Sequence, residues 1–279
     1  MLGLIRLCTL RKLALLGLAA ASLGCLGAAA AEAKNSGQSA SQLGVRTGPF
    51  VVDVLEAREG MQSLRVMCNS KDITEDGDTL YREVTVDEPV SDFPEQGLET
   101  VKINIYTGGA NCCQGYYLLV SAQEHGTAEE SYAAYVEPYD GGLSRNDYPV
   151  GYAAIDPAFK GYELENTEIF ISRAESPRLN RLLVFADGRW RPDKVGEFPD
   201  YYQIMSEATA EAGNMHPLSR AIALSYYSLM RGDGADAALK VLKTDIPDAY
   251  NKRKIVAAIF EDIEEAAGNF NPVENLKLK

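Results

Sequence analysis

Apolar residues recur at every second position through the first two-thirds of the chain, then at every third or fourth position. Val101, Ile103 and Ile105 alternate with Lys102 and Asn104, the pattern of a strand with one face buried. The same reading predicts strands over residues 50–55, 64–68, 80–86, 100–106, 116–122, 133–139, 168–172 and 181–186. Asp187-Gly188 between two β-forming runs marks a hairpin turn, since both turn positions tolerate positive φ, and Arg189-Trp190 starts the return strand. From Tyr201 onward the spacing becomes helical. Leu218, Ile222, Tyr226, Leu229 and Met230 form one stripe after Pro217, which suits a first helical turn. Gly232 and Gly234 break that stripe. Ala235, Ala238, Leu239 and Leu242 resume it until Pro247, and Asp248 caps a last helix whose inner face is Ile255, Ile259, Ile263 and Ala266 and which ends at Gly268. The outer face of that helix carries Glu261, Asp262, Glu264 and Glu265. Tyr226, Ala235, Ala238 and Pro247 resemble a single tetratricopeptide-like hairpin, but one copy builds no solenoid. The fold class is therefore α+β: a mainly antiparallel β domain, sandwich- or barrel-like, over residues 49–200, then a small helical bundle over 201–279.

The N-terminus changes the picture of where this body resides. Arg6, Arg11 and Lys12 precede an apolar run from Leu13 to Leu26, and Ala28 to Ala31 offers small-residue cleavage sites. That is the layout of a secretory signal peptide, assigned to residues 1–31. Residues 32–48 are polar and read as a flexible leader. Cys25 after Ser22-Leu23-Gly24 admits a lipid anchor, although Ser22 is not the aliphatic residue such signals carry. No later stretch is long and apolar enough for a membrane helix, so the expected location is periplasmic or secreted. Cleavage removes three basic residues and no acids, which makes the net charge of −13 more negative by three. So acidic a surface repels phosphate backbones, which argues against nucleic acid as a partner.

Between the strands at 100–106 and 116–122 lies Thr107-Gly108-Gly109-Ala110-Asn111-Cys112-Cys113-Gln114-Gly115. Gly108, Gly109 and Asn111 suit a tight turn. An exported chain meets oxidising conditions, and three cysteines remain after cleavage: Cys68, Cys112 and Cys113. Cys68 can staple two strands by bonding Cys112 or Cys113. A Cys112–Cys113 bond would be strained, because consecutive Cα atoms lie about 3.8 Å apart and disulfides prefer roughly 4.4 to 6.8 Å; such a bond is readily reduced. All three thiols can also stay free.

Other chemistries find little support. Asp72 to Asp78 looks like a calcium loop but lacks the alternating ligands and closing bidentate acid. Adjacent cysteines do not match the spaced pairs of zinc sites. The two histidines, His125 and His216, read as a loop residue and a residue at the start of a helix. No nucleophile elbow, cysteine-protease signature or phosphate loop is present. No catalytic residue, metal ligand or cofactor is assigned. Tyr116, Tyr117, Tyr132, Tyr135, Tyr139, Tyr148 and Tyr152 crowd the middle of the β part, and read as core aromatics with a contribution to a protein- or glycan-binding surface.

Thr107 to Ala110 with Cys112-Cys113, directly after a strand, resembles a Thr-Gly-Gly-Ala-His-Cys-Cys signature in a group of bacterial exported proteins of unknown function. Asn111 stands where that group has histidine. Phe159-Lys160-Gly161-Tyr162 and the Leu183 to Trp190 region are similar to the group's later strands. Many of its members carry an acidic calcium-type loop of the integrin-like propeller kind; here Asp92 falls in a ligand place while Pro94 and Gln96 replace acids. The resemblance implies an exported β domain and no particular activity. The expectation is an exported, non-enzymatic binding or interaction protein whose partner is another envelope protein or a glycan. The alternatives are a thiol-dependent redox or stress sensor using Cys112 and Cys113, and a hydrolase without a readable motif.

Overall fold

The computed structural model describes residues 41–74, 79–108, 115–137, 142–165 and 167–278. Among them the chain forms three antiparallel sheets and a helical layer, built within one compact unit that spans Ser39–Lys279. The first sheet holds β1 (Ser41–Thr47), β2 (Phe50–Glu56), β3 (Gln62–Cys68), β4 (Lys71–Asp72) and β5 (Leu80–Tyr81). Phe50, Val52 and Val54 sit opposite Cys68, Val66 and Leu64 and are all buried. β1 falls within the stretch expected as a leader, where its polar composition hides a strand that gains its backbone partners from β2.

The central sheet follows, with β6 (Glu83–Val86), β7 (Val90–Ser91), β8 (Leu98–Tyr106), β9 (Gly115–Gln123) and β10 (Ser131–Val136). The expected strand over 80–86 is split: Tyr81 pairs with Gln62 in the first sheet, and Val84 pairs with Ile105 in the central one. The chain crosses between sheets at Arg82. The alternation around β8 points Val101, Ile103 and Ile105 at the first sheet, where they join Leu118, Val120 and the β2–β3 residues in one core. The opposite face, with Leu119, Ala134 and Val136, packs on a third sheet through Tyr152, Ala154, Leu183 and Trp190. The central sheet is thus buried on both faces, which explains the unbroken apolar character of β9.

The third sheet contains β11 (Ser144–Asp147), β12 (Val150–Asp156), β13 (Leu179–Ala186) and β14 (Arg189–Pro192) in sequential order. Asp187 and Gly188, at φ 53° and 71°, make the tight turn expected between β13 and β14. Residues 168–172, expected as a strand, contribute only an isolated bridge between Phe170 and Glu163.

The helices are α1 (Pro199–Glu211), α2 (Pro217–Arg231), α3 (Ala235–Asp245) and α4 (Arg253–Asn269). Pro217 occupies the first turn of α2, and Gly232 ends that helix in the left-handed conformation (φ 90°), with its N–H bonded to the Leu229 carbonyl. Asp248 does not cap α4: residues Asp248–Tyr250 form a short 3-10 turn, and α4 starts at Arg253. The bundle has no core of its own, since Leu218, Ile222, Tyr226 and Ile259 share one with Leu179, Leu182 and Val184 of β13. After α4 the chain returns as β15 (Val273–Asn275) and pairs antiparallel with β10, becoming an edge strand of the central sheet. The sheets form a sandwich-like stack rather than a closed barrel.

Candidate functional site

The motif that dominates the sequence is described only at its margins. Gly108 adopts φ 78°, where an L side chain is strained, and a Cβ there would lie 3.2 Å from Cβ of Arg82. Tyr106 and Gly115 make the last pair of the β8–β9 hairpin. Gly109, Asn111, Cys112 and Cys113 lie outside the described residues. Cys68 carries a free thiol buried between the first and central sheets, and burial pushes its pKa up against the pull of the Lys71 charge.

The acidic turns serve the backbone. Asp92 (φ 54°) accepts a hydrogen bond from the Gly97 N–H at 2.9 Å. Asp72 accepts from the Thr74 N–H at 2.9 Å and pairs with Arg65 at 3.4 Å; Glu75 to Asp78 lie outside the described residues. Among the described residues no three His, Cys, Asp or Glu side chains come together closely enough to hold a metal ion. His125 is exposed in the turn after β9, and His216 precedes α2 as expected, its Nδ1 buried without a partner.

The arrangement that can receive a ligand lies elsewhere. A cleft of about 1200 Å³ opens where the first and central sheets part and α4 comes alongside, slightly larger than the roughly 300–1,000 Å³ of small-molecule sites. Tyr81, from the crossover between sheets, and Tyr116 and Tyr135, from β9 and β10, form one wall. Tyr116 meets each of the other two rings edge-on, with centroids 6.1 Å away. Burial and a hydrogen bond with Tyr81 push the Tyr116 pKa up, so its hydroxyl stays protonated. The second wall is α4, whose Asp262, Glu265, Ala266 and Asn269 share a face by their three- and four-residue spacing. The third wall is the segment after β12, from Asp156 to Glu163. Tyr162 closes the corner between these walls by donating to Asp262 Oδ2 at 2.6 Å. The α4–β15 connection completes the enclosure.

Charge is distributed unevenly around the cleft. Glu137, Asp156, Glu163, Asp262, Glu265 and Glu274 line it, and Lys160 is the one Lys or Arg among the described lining residues. The glutamates are exposed, whereas Asp156 is 4 % exposed. Asp156 anchors a buried polar chain behind the cleft. Its carboxylate accepts from the Ala158 N–H at 2.9 Å and from the Tyr226 hydroxyl at 3.1 Å. Arg181 donates to that hydroxyl at 3.2 Å, to the Ala267 carbonyl at 3.1 Å and to Asp193 Oδ1 at 2.9 Å. Tyr202 donates to Asp193 Oδ2 at 2.5 Å. Burial pushes the Asp156 carboxyl above the usual carboxylate range, opposed by the Ala158 and Tyr226 hydrogen bonds.

Sequence reasoning singled out the tyrosine cluster, and the structure divides it. Tyr116 and Tyr135 face the cleft, Tyr152 packs on Trp190 in the core, Tyr132 stacks edge-on against Phe185, and Tyr148 is exposed. Tyr139 lies outside the described residues. Tyr81 and Asp156 were not singled out, Tyr162 entered only through the Phe159-Lys160-Gly161-Tyr162 resemblance, and the α4 carboxylates read only as the outer face of the last helix. Asp262 and Glu265 gave the one available signal, and their positions opposite an apolar stripe are those of an ordinary solvated helix face.

Comparison with family models, with curated proteins and with solved structures finds no match to this chain.

Proposed function

We propose that the chain is an exported binding protein, without catalysis of its own, whose ligand enters the cleft between the tyrosine wall and α4. The observation that carries this reading is the convergence of side chains from the first and central sheets, α4 and the segment after β12 on one cavity of ligand size. Cavities that join several elements and place a few polar groups on an aromatic wall are the usual form of a binding site. The described lining contains no serine, cysteine or histidine, so it offers no Ser–His or Cys–His pair for covalent chemistry. Export rests on the N-terminal segment. Among the described residues no helix is long and apolar enough to cross a membrane.

A thermal-shift screen of the mature chain against amines, amino acids and oligosaccharides tests the reading when run beside Ala158→Trp. Ala158 is exposed on the cleft wall, so the larger ring takes up part of the cleft without entering the core. The expected result is a set of compounds that stabilise the wild type and not the variant. Compounds that stabilise both equally, or none that stabilises the wild type, would overturn the proposal.

A further inference from the structure

The cleft's chemistry identifies a class of ligand, an inference that rests on the binding role above. Its carboxylates stand on three walls: Glu137 and Glu274 on the paired β10–β15 edge, Glu163 after β12, and Asp262 with Glu265 on α4. They do not converge as ligands of a single ion do, since no metal-holding group occurs among the described residues. Between them lie the rings of Tyr81, Tyr116, Tyr135 and Tyr162 and the apolar surface of Ala266, Phe270 and Val273. A compact inorganic cation would meet one wall and leave the others unused. A neutral sugar would stack on the tyrosines and donate its hydroxyls to the carboxylates, but would leave their negative charge uncompensated. The surface that matches is long and flexible, apolar along its length and positive at intervals. Aromatic faces attract ammonium groups held near them, and carboxylates form their strongest hydrogen bonds with charged donors.

We propose that the cleft binds a linear aliphatic polyamine, its ammonium groups on carboxylates of opposing walls and its methylene segments along the tyrosines. Asp156 and Asp262 already accept hydrogen bonds from within the protein, so they shape the field of the floor. The exposed Glu137, Glu163 and Glu265 make the direct contacts.

Titration calorimetry of the mature chain with spermidine tests this. One equivalent should bind saturably. Glu137→Gln/Glu163→Gln/Glu265→Gln should weaken binding by about tenfold or more, as expected from three partly exposed ion pairs. A control triple of equal charge change, Glu129→Gln/Glu261→Gln/Glu264→Gln, removes exposed acids that do not line the cleft and should leave affinity within about twofold. All six substituted positions are exposed, and far-ultraviolet circular dichroism establishes that each variant folds. Equal losses in the two triples would overturn the proposal, since attraction would then belong to the general negative charge. A neutral oligosaccharide that binds the wild type and is excluded by Ala158→Trp, with spermidine inert, would overturn the polyamine inference and leave the cleft as a binding site. If neither ligand binds and Ala158→Trp changes nothing, both readings fall.

Discussion

Arg181 carries its charge with 2 % of the side chain exposed, and its partner Asp193 has none exposed. Removing two charges from water is costly, so the pair is tolerable only because Tyr226, Tyr202 and the carbonyls of Asp193 and Ala267 satisfy the remaining donors and acceptors. Arg181→Met leaves Asp193 buried without its cation and should lower stability by about 3–5 kcal/mol in urea denaturation. A loss below about 1 kcal/mol would mean that water reaches the site. Burial raises the pKa of Asp193 despite its partners, and it raises that of Asp156 despite two hydrogen bonds. The Asp156 carboxyl binds a proton more readily in the folded form than in the unfolded chain. Its ionisation therefore costs stability as pH rises through the interval between the ordinary carboxylate range and the raised value. Relative to wild type, Asp156→Asn should gain stability as pH rises through that interval and hold a constant difference above it. Denaturation from pH 3 to 8, a range of about five units chosen to bracket carboxyl titration, checks the sign. Cys68 is a core residue at this scale, its thiol disfavoured as thiolate by burial, and gives no reason of its own for redox chemistry.

The element that ties the layers together is β15, three residues long. It pairs with β10, the Leu276 N–H bonds the Ala133 carbonyl, and the Asn275 amide clamps both backbone groups of Trp190 at 3.0 and 2.8 Å. Asn275→Ala should cost about 1–3 kcal/mol, read as a lower denaturation midpoint at unchanged slope. Gly232 makes a second junction, since a Cβ there would lie 2.9 Å from the Gly196 Cα in a backbone already at φ 90°. Gly232→Ala should destabilise by about 1–3 kcal/mol, in line with a strained left-handed residue, whereas Gly213→Ala, with open space around it, should not. These two elements show what the sequence could convey. The end of α2 was legible because Gly232 interrupts a helical stripe, a local signal. β15 was not, because Val-Glu-Asn has no periodicity to read and owes its conformation to a partner more than 130 positions earlier. The cleft was hidden for the same reason. Periodicity locates the buried face of α4 correctly through Ile259 and Ile263, but does not reveal that Asp262 and Glu265 face tyrosines from two sheets.

In the whole molecule the layers follow one another as first sheet, central sheet, third sheet and helices, with a buried interface at each junction. The sequence divides at about residue 200, where the apolar period changes from two to between three and four, and that change reads as a domain boundary. The cores do not divide there, because β13 belongs to the same cluster as α2 and α4, and β15 carries the chain back into the central sheet. A bundle that must borrow Leu179, Leu182 and Val184 to close its core cannot retain its packing once the third sheet is lost. The chain should therefore unfold in one step. Trp190, the only tryptophan, lies between the central and third sheets, whereas circular dichroism at helix-sensitive wavelengths reports on α1 to α4. The two signals should give the same midpoint and slope in urea, and a polyamine seated against both α4 and the tyrosine wall should shift them together. Separate midpoints, with helical signal surviving loss of the tryptophan environment, would show that the helices stand alone and that the shared core contributes little.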